Sequence, residues 1–369
     1  MRDPGAVPLA TGYPAEPLRT DGRVAAALAR AARRPGAWDP PPPMGIRELR
    51  SWFGHEIGVD PDDVLIVSGG QAALSATVRA VVPSGSPVLF ETPTYPGALA
   101  VARSAGLVPV PVPVDRDGVR PELLERAFAT SGARLLYMQP TYANPDGRVL
   151  AEERRGDVLA VAAAAGAFVV EDDWARWLSY GPVPPPPLIR DDADGHVITL
   201  TSLTKTIAPS LRVAAVAARG PVLQRVAAMR LVDDHFMARP LQEAAVDLVT
   251  SAGWPGHLRT LRAGLRERVD VMSVALARHL PECRFVVPEG GLSIWLELPA
   301  GVDDLEATDR ALAAGAAVLP GRIFEVGEAE PAHLRLSFAA AEPRMIERGV
   351  EALARSLPVL LSGDGHRRG

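Results

Sequence analysis

The sequence predicts an α/β protein built on a mainly parallel β-sheet of seven strands. Short runs rich in Val, Leu and Ile alternate with Ala-, Leu- and Arg-rich stretches of helical length between about Gly45 and Pro221. Most of the short runs are apolar throughout, which is typical of strands covered by helices on both faces. The alternation predicts an open, doubly wound sheet whose ligands bind at the carboxyl ends of its strands.

The predicted elements follow one another in two blocks. The strands of the first block are Val64–Ser68, Val88–Glu91, Val108–Pro113, Leu135–Met138, Phe168–Glu171, Val197–Thr201 and Val213–Ala217. The helices between them are Gln71–Val82, Gly97–Ala105, Pro121–Ala129 and Ala151–Ala165. After Pro221 come two longer helices, then a second α/β unit, with elements Pro240–Ser251, Pro255–Leu280, Ser293–Glu297, Leu334–Phe338 and Pro343–Leu357.

These blocks predict four parts of the chain. Residues 1–44 are Pro-rich, end in the run Pro40–Pro43, and are expected to form an irregular N-terminal arm. Residues 45–280 form a large domain that includes an interdomain helix, and residues 281–360 form a smaller C-terminal α/β domain. Residues 361–369 are expected to be a disordered tail.

Composition excludes several classes of function. Among 369 residues, 39 Lys and Arg face 44 Asp and Glu, so the net charge of −5 argues against a nucleic-acid partner. Cys283 is the only cysteine, which excludes a disulfide framework and a Cys-rich metal centre, and no metal site is expected. No apolar run reaches the ~18 residues of a membrane span, and the first residues lack the apolar core of a signal peptide. We therefore expect a cytoplasmic protein with no membrane partner.

Polar side chains gather where two of the predicted strands end. Asp172 follows Phe168–Glu171, and Lys205 follows Val197–Thr201 in the segment TSLTKTIAPSLR. Taken singly, these residues could be a solvated strand end and a surface turn. Together they suit pyridoxal phosphate, which needs a lysine for its Schiff base, an acid for its ring nitrogen and several donors for its phosphate.

The remaining strand ends can supply those other contacts. Gly69 and Gly70 precede a helix, where backbone N–H groups could bind an anion, although the same pair could form a simple tight turn. Tyr95, in ETPTYPG, offers an aromatic face. Asn144, in PTYANPDGRVL, offers an amide that could reach a phenolate oxygen.

The order of these motifs resembles that of a known family. SGGQAAL, ETPTYPG, PTYANPDGRVL, EDDW, SLTK with an arginine seven residues after the lysine, and HLRLSF resemble the class I/II aminotransferases, which are fold-type-I pyridoxal-phosphate enzymes. The segments TKTIAPSLR and GGLSIWLELP are most similar to the aminotransferase-like part of MocR-type proteins. The resemblance extends from about Gly12 to Leu357 and implies a fold-type-I enzyme that forms a homodimer.

The resemblance also implies roles for individual residues. Lys205 would form the Schiff base and move protons at the substrate Cα, while Asp172 would pair with the ring nitrogen. Arg335 would bind the substrate carboxylate, although it could be an ordinary ion-pairing arginine, and Tyr13 would lie near the substrate. The other implied cofactor contacts are Gly70, Gln71, Ser202, Thr204 and Arg212 around the phosphate, and Tyr95, Asn144 and Trp174 around the ring; Asn144 would also lie near the substrate.

Two departures from the family pattern concern aromatic residues. Trp174 stands where MocR-type proteins have a tyrosine that helps to bind the ring oxygen, and simple packing could also explain it. The segment WDPPPPMGIRELR has prolines where the family commonly has a tyrosine that reaches the partner subunit's phosphate, and Trp38 is the nearest aromatic. We expect Trp38 or Pro40–Pro43 to approach the phosphate of the other subunit.

The implied function is transamination of an α-amino acid through an external aldimine and a quinonoid intermediate. The alternative is a lyase or decarboxylase of specialised metabolism that carries out β-elimination, decarboxylation or oxidative deamination of an amino-acid conjugate. A regulator that only senses pyridoxal phosphate is disfavoured, because the family pattern begins within about 15 residues of Met1 and leaves no room for a DNA-reading domain.

Overall fold

A central sheet of eight strands organises the first two thirds of the chain. The computed structural model describes residues 5–327 and 331–357. The strands of this sheet are β1 (Val64–Val67), β2 (Pro87–Thr92), β3 (Val108–Asp115), β4 (Gly118–Val119), β5 (Leu135–Met138), β6 (Phe168–Asp172), β7 (Val197–Ser202) and β8 (Ala214–Ala218). Their spatial order is β1-β8-β7-β6-β5-β2-β3-β4.

The sheet is mainly parallel, as predicted, but the prediction of seven strands is wrong. All seven predicted strands are present, and β4 adds an eighth that pairs antiparallel with the end of β3. With two residues, β4 is too short to give a pattern in the sequence. Strands β5, β6 and β7 are parallel neighbours, so their carboxyl ends meet at one edge of the sheet.

Helices cover both faces of this sheet, which explains its apolar strands. The helices of this part of the chain are α1 (Asp21–Ala31), α2 (Arg47–Ile57), α3 (Gly70–Val81), α4 (Pro96–Ser104), α5 (Pro121–Ser131), α6 (Glu152–Ala164), α7 (Pro221–Asp234), α8 (Arg239–Val249) and α9 (Trp254–His279). Successive residues of β5 join opposite cores: Leu136 and Met138 belong to one apolar cluster, and Leu135 and Tyr137 to the other.

The expectation of an irregular arm is wrong for residues 21–31, which form α1. Val24, Ala27 and Ala31 lie on one face of this Ala-rich helix and are buried in the core beside α8. Nearer the N-terminus, Val7 and Leu9 are buried in the core of the C-terminal unit. The arm thus packs against both halves of its own chain.

The C-terminal unit contains a smaller, antiparallel sheet. Its elements are β9 (Arg284–Phe285), β10 (Ser293–Glu297), α10 (Asp304–Ala313), β11 (Leu319–Pro320), β12 (His333–Ser337) and α11 (Pro343–Ser356). The strands lie in the order β11-β12-β10-β9. From Leu261 onward, α9 packs into the same core as this sheet. The division of the chain into domains stays a prediction, and the tail, 361–369, lies outside the described residues.

None of the helices within residues 5–327 and 331–357 combines the length and apolarity that crossing a membrane requires.

Candidate active site

A cavity of about 440 Å³ opens at the carboxyl ends of β5, β6 and β7. Every residue that the sequence predicted for the site lines it: Tyr13, Gly70, Gln71, Tyr95, Asn144, Asp172, Trp174, Ser202, Thr204, Lys205, Arg212 and Arg335. Residues without a predicted role also line it: Gly12, Leu74, Gln139, Leu200, Thr201 and Leu292. The fold therefore brings residues from the arm, the large sheet and the small sheet to one place.

Asp172 is the only one of three consecutive acids, Glu171 to Asp173, that lines the cavity. Glu171 points to the other face of the sheet, where it accepts hydrogen bonds from Thr199 Oγ1 at 2.6 Å and from the Leu188 backbone N at 2.7 Å. Asp173 forms an ion pair with Arg176. Burial raises the pKa of Asp172 to about 6, and hydrogen bonds oppose that rise.

Two side chains that sequence analysis missed hold the Asp172 carboxylate. Tyr137 Oη donates to Asp172 Oδ2 at 2.6 Å, and Gln139 Nε2 donates to the same oxygen at 2.8 Å. Both belong to the β5 segment, beside β6, and differ by two residues, so they lie on the same face. The sequence could not predict their contact with Asp172, because it depends on the register of the two strands. The one available signal was the presence of polar residues in and directly after an apolar strand.

Lys205 follows β7 and points its amine at the arm. Lys205 Nζ donates to the Gly12 carbonyl oxygen at 2.7 Å and lies 3.5 Å from the centre of the Tyr13 ring. Burial lowers the pKa of Lys205 to about 7, with further lowering by the guanidinium groups of Arg335 and Arg212. A large fraction of the amine is therefore neutral at physiological pH, as a nucleophile or a base requires.

The start of α3 and Arg212 together form an anion-binding corner. Gly69, with φ of 99°, precedes the helix, and no side chain in the described part of the protein caps the free N–H groups of the helix's first turn. A Cβ atom at Gly69 would lie 2.5 Å from Arg212 Nη2, so only glycine fits beside that guanidinium. Arg212 forms no ion pair with any residue that the structure describes, and the Ser202 and Thr204 hydroxyls lie on the same cavity wall.

Aromatic and amide groups line the space between Asp172 and this corner. Tyr95 Oη donates to Gln71 Oε1 at 3.3 Å, and its ring leaves no space for a Cβ atom at Gly97. Asn144 Oδ1 and Trp174 Nε1 are buried without a hydrogen-bond partner among the described residues. An unpartnered acceptor and an unpartnered donor are costly in a buried site, which indicates that a ligand satisfies them.

Arg335 reaches the cavity from β12 of the small sheet. Its side chain is buried, its Nε has no hydrogen-bond partner, and it forms no ion pair within the described part of the chain. Arg335 Nη1 donates a long hydrogen bond to the Ala10 carbonyl oxygen, at 3.5 Å. Burial lowers its pKa to about 10, which still leaves the guanidinium charged. These contacts contradict the alternative of an ordinary ion-pairing arginine and leave the charge free for a bound anion.

The region expected to meet a partner subunit lies outside this cavity. The side chain of Trp38 is 80% exposed, and the Pro43 carbonyl oxygen accepts a hydrogen bond from Arg230. An approach of Trp38 or Pro40–Pro43 to the phosphate of a second subunit stays a prediction.

The residues present fit pyridoxal phosphate. Arg212 and the uncapped start of α3 match a phosphate, Asp172 matches a ring nitrogen, and the unpartnered atoms of Asn144 and Trp174 match a polar ring substituent. Lys205 supplies the amine that the aldehyde of this cofactor binds.

Comparison with known proteins agrees with this fit. The family of class I and II aminotransferases matches residues 20–353. The 2-aminoadipate transaminase of Thermus thermophilus is 34% identical over 97% of this chain and 92% of its own. An HTH-type transcriptional regulator of Bacillus subtilis is 29% identical over 86% of this chain and 66% of its own length.

Solved structures agree as well. The α-aminoadipate aminotransferase of Thermus thermophilus, complexed with N-(5′-phosphopyridoxyl)-L-leucine, has a TM-score of 0.91 at 33% identity, covering 97% of this chain and 93% of its own. The kynurenine aminotransferase of Pyrococcus horikoshii, complexed with PMP, has a TM-score of 0.90 at 28% identity, covering 96% of this chain and 91% of its own. This chain therefore belongs to the class I and II aminotransferases, fold-type-I enzymes that use pyridoxal phosphate.

Proposed function

We propose that the cavity transfers the amino group of an α-amino acid to pyridoxal phosphate and then to a 2-oxo acid. The observation that carries this proposal is the joint presence, in one cavity, of the Lys205 amine, the buried Asp172 carboxylate and Arg335, a buried cation without an ion pair among the described residues. When bound, pyridoxal phosphate supplies an aldehyde that takes up the amino group and a ring that accommodates negative charge from Cα.

Lys205 has two tasks in this proposal. Its neutral amine would hold the cofactor through the cofactor's aldehyde, and, once free again, Nζ would take the proton from the substrate Cα and hold it for return. A base with a pKa near the working pH is the most effective for such a transfer. The Gly12 carbonyl, which accepts a hydrogen bond from Nζ, keeps the free amine within the cavity.

The other residues hold and orient the reactants. Asp172 keeps the ring nitrogen protonated, because a buried carboxylate stabilises a cation beside it. Arg335 binds the α-carboxylate of the substrate through its forked N–H groups. Further cofactor contacts come from the first N–H groups of α3 and the side chains of Ser202, Thr204 and Arg212 at the phosphate, and from Tyr95, Asn144 and Trp174 at the ring.

A half-reaction tests this proposal. The purified protein, loaded with pyridoxal phosphate, is mixed with a pool of α-amino acids, and the products are measured by mass spectrometry. We expect pyridoxamine phosphate and a 2-oxo acid in equal amounts. Release of ammonia or carbon dioxide with pyridoxal phosphate regenerated would instead support the lyase or decarboxylase alternative.

We also propose that the active unit is a homodimer, and a cytoplasmic location stays a prediction of the sequence. Large apolar side chains are exposed at Trp38 and at the end of α7, where Val232 is 78% and Phe236 is 41% exposed. Arg230 connects these regions by donating hydrogen bonds to the carbonyl oxygens of Pro43 and His235. Exposed apolar side chains on adjoining segments are typical of subunit interfaces.

The assembly can be tested by sedimentation at low micromolar concentration. We expect a dimer, and we expect Val232→Glu to shift it towards monomer with loss of activity. A fully active monomeric wild-type protein would contradict the proposal.

A further inference from the structure

Gln139 sits where three parts of the site meet. The pairing of Met138 with Glu171 places Gln139 beside Asp172 in the next position of the two parallel strands. Gln139 Nε2 donates to Asp172 Oδ2 at 2.8 Å, while Gln139 Oε1 accepts from the Asn144 backbone N at 2.8 Å. With only 4% of its surface exposed, this side chain has one buried orientation that satisfies both partners.

The backbone of Gln139 is anchored as firmly as its side chain. Its N–H group donates to Glu91 Oε2 at 2.8 Å, and Glu91 is a fully buried carboxylate whose other oxygen lies 3.5 Å from Arg148 Nη2. Arg148 also pairs with Asp146, in the turn that carries Asn144. This network fixes the end of β5 relative to that turn.

The two donors to Asp172 share one of its oxygens. Tyr137 Oη donates to Oδ2 at 2.6 Å, the atom that Gln139 also binds. Asp172 Oδ1 accepts no hydrogen bond from the described residues, and the carboxylate lines the cavity. A carboxylate held through one oxygen cannot rotate freely, so its other oxygen keeps a fixed direction.

We propose that Gln139, together with Tyr137, is a positioning residue that locks Asp172 through Oδ2, leaves Oδ1 for the cofactor's ring nitrogen, and couples this contact to the Asn144 turn. The inference rests on the proposed function, because it assigns Asp172 to that nitrogen. Gln139 acts through Asp172 and Asn144 rather than by touching the reacting atoms.

The charges around Asp172 explain why two donors are needed. Burial raises its pKa, and neighbouring Asp173 raises it further. The hydrogen bonds from Tyr137 and Gln139 and the Lys205 ammonium lower it, while the Tyr95 phenol also faces the carboxylate. Loss of either donor therefore raises the pKa of Asp172 further and increases the fraction of the group that is protonated. A protonated Asp172 carries no negative charge and cannot stabilise a pyridinium.

The test compares two ligands that differ in one atom. Dissociation constants are measured for pyridoxal phosphate and for its 1-deaza analogue, in which carbon replaces the ring nitrogen, with wild type and Gln139→Leu. We expect Gln139→Leu to bind pyridoxal phosphate roughly tenfold more weakly, about the effect of one charge-assisted hydrogen bond. The variant should lose less affinity for the analogue, which depends on Gln139 only through the Asn144 turn. The ¹⁵N chemical shift of labelled pyridoxal phosphate should show a smaller protonated fraction in the variant.

Matched variants separate positioning from folding. Gln242 is also buried and makes two hydrogen bonds, to the Ile46 backbone N and the Met237 carbonyl, but lies outside the cavity lining. Gln242→Leu should therefore leave both dissociation constants unchanged. If Gln139→Leu fails to fold, Tyr137→Phe removes only a hydroxyl group and should show the same dependence on the ring nitrogen.

The outcomes separate the role of Gln139 from the proposed function. Equal losses for both ligands, or no loss for either, would overturn the role of Gln139 while the proposed function stands. Failure of the wild-type protein to bind pyridoxal phosphate would overturn the proposed function and this inference with it.

Discussion

The two walls of the active-site cavity are built differently. The strand-end wall, formed by Gln139, Asp172 and Lys205, rises from three parallel strands, and side-chain hydrogen bonds fix its carboxylate. The arm wall, formed by Gly12 and Tyr13 of the arm together with Arg335 of β12, contacts Lys205 through a backbone carbonyl and a ring. The Nε atom of its guanidinium has no hydrogen-bond partner among the residues that the structure describes. One wall is organised before any ligand binds, while the other offers a charge that a ligand must satisfy.

This difference divides the expected effects of mutation. We expect changes to the strand-end wall to lower kcat, because its groups hold the cofactor and move protons. Changes to the arm wall alter which substrate binds and how tightly, because its groups meet the substrate. The following predictions test this division.

The largest effect is expected for Lys205→Ala. Removing the amine takes away both the covalent attachment and the base, so we expect turnover to fall by at least about 10⁴-fold. Steady-state kinetics with pyridoxal phosphate in excess provide the measurement, and a cooperative melting transition provides the control for folding. Residual turnover within tenfold of wild type would mean that another residue carries the proton.

Asp172→Asn should have the next largest effect. An amide cannot balance the charge of a protonated ring nitrogen, so we expect a loss of roughly 10²–10⁴ in kcat. Asp173→Asn is the matched control: it breaks the buried ion pair with Arg176 and should lower stability by ~3–5 kcal/mol with a smaller effect on kcat. The reverse pattern would assign the ring nitrogen to Asp173.

Arg335→Lys tests the arm wall. Lysine keeps the charge but loses the forked donors, so we expect KM for the amino acid to rise roughly 10- to 100-fold. The corresponding amine, which lacks the α-carboxylate, should be turned over equally by both proteins. A similar loss with the amine would show that Arg335 does not bind the carboxylate.

The pH dependence of Lys205 links the two walls. Because the pKa of Lys205 is lowered to about 7, folding releases a proton from this group between pH 7 and its ordinary range. Its contribution therefore destabilises the cofactor-free protein most below pH 7, and the cost declines as the pH rises towards 10. We expect the rate at which pyridoxal phosphate and borohydride trap Lys205 to be half-maximal near pH 7.

Arg335→Met should raise that midpoint, because it removes a positive charge that lowers the pKa of Lys205. If the trapping rate of the wild-type protein were instead half-maximal near the ordinary pKa of lysine, the Lys205 amine would be hydrated rather than buried beneath the arm.

Tyr13→Ala should have the smallest effect. The Tyr13 ring centre lies 3.5 Å from Lys205 Nζ, so the protonated amine makes a cation–π contact with it. Such a contact contributes ~0.5–1 kcal/mol, which corresponds to roughly a two- to fivefold change in kcat/KM. We expect the relative rates for different amino acids to change more than the rate for the best one. A loss as large as that of Asp172→Asn would place Tyr13 among the residues that carry the chemistry.

The same two walls explain what the sequence could predict. Asp172 and Lys205 follow apolar strands, and parallel strands bring their carboxyl ends together, so their meeting was predictable from the order of elements. Gln139 could not be assigned in this way, because its partner depends on the register between β5 and β6 and on the turn at Asn144.

Other parts of the fold were missed for local reasons. The helix α1 has a clear amphipathic pattern, but the prolines on both sides of it suggested an irregular arm. Strand β4 pairs only Val119 and Gly118 with β3, which is too short for a periodic signal. The contact of Gly12 with Lys205 spans 193 positions in the chain and depends on the packing of Val7 and Leu9 in the C-terminal core.

Reduction with borohydride tests the central claim most directly. The purified protein is incubated with pyridoxal phosphate, reduced, digested and mapped by mass spectrometry, with Lys205→Ala treated in parallel. Because Lys205 supplies the amine in the strand-end wall, we expect one phosphopyridoxyl group per chain, attached to Lys205, and no label in the variant. A label on another residue, or no label on the wild-type protein, would contradict the account.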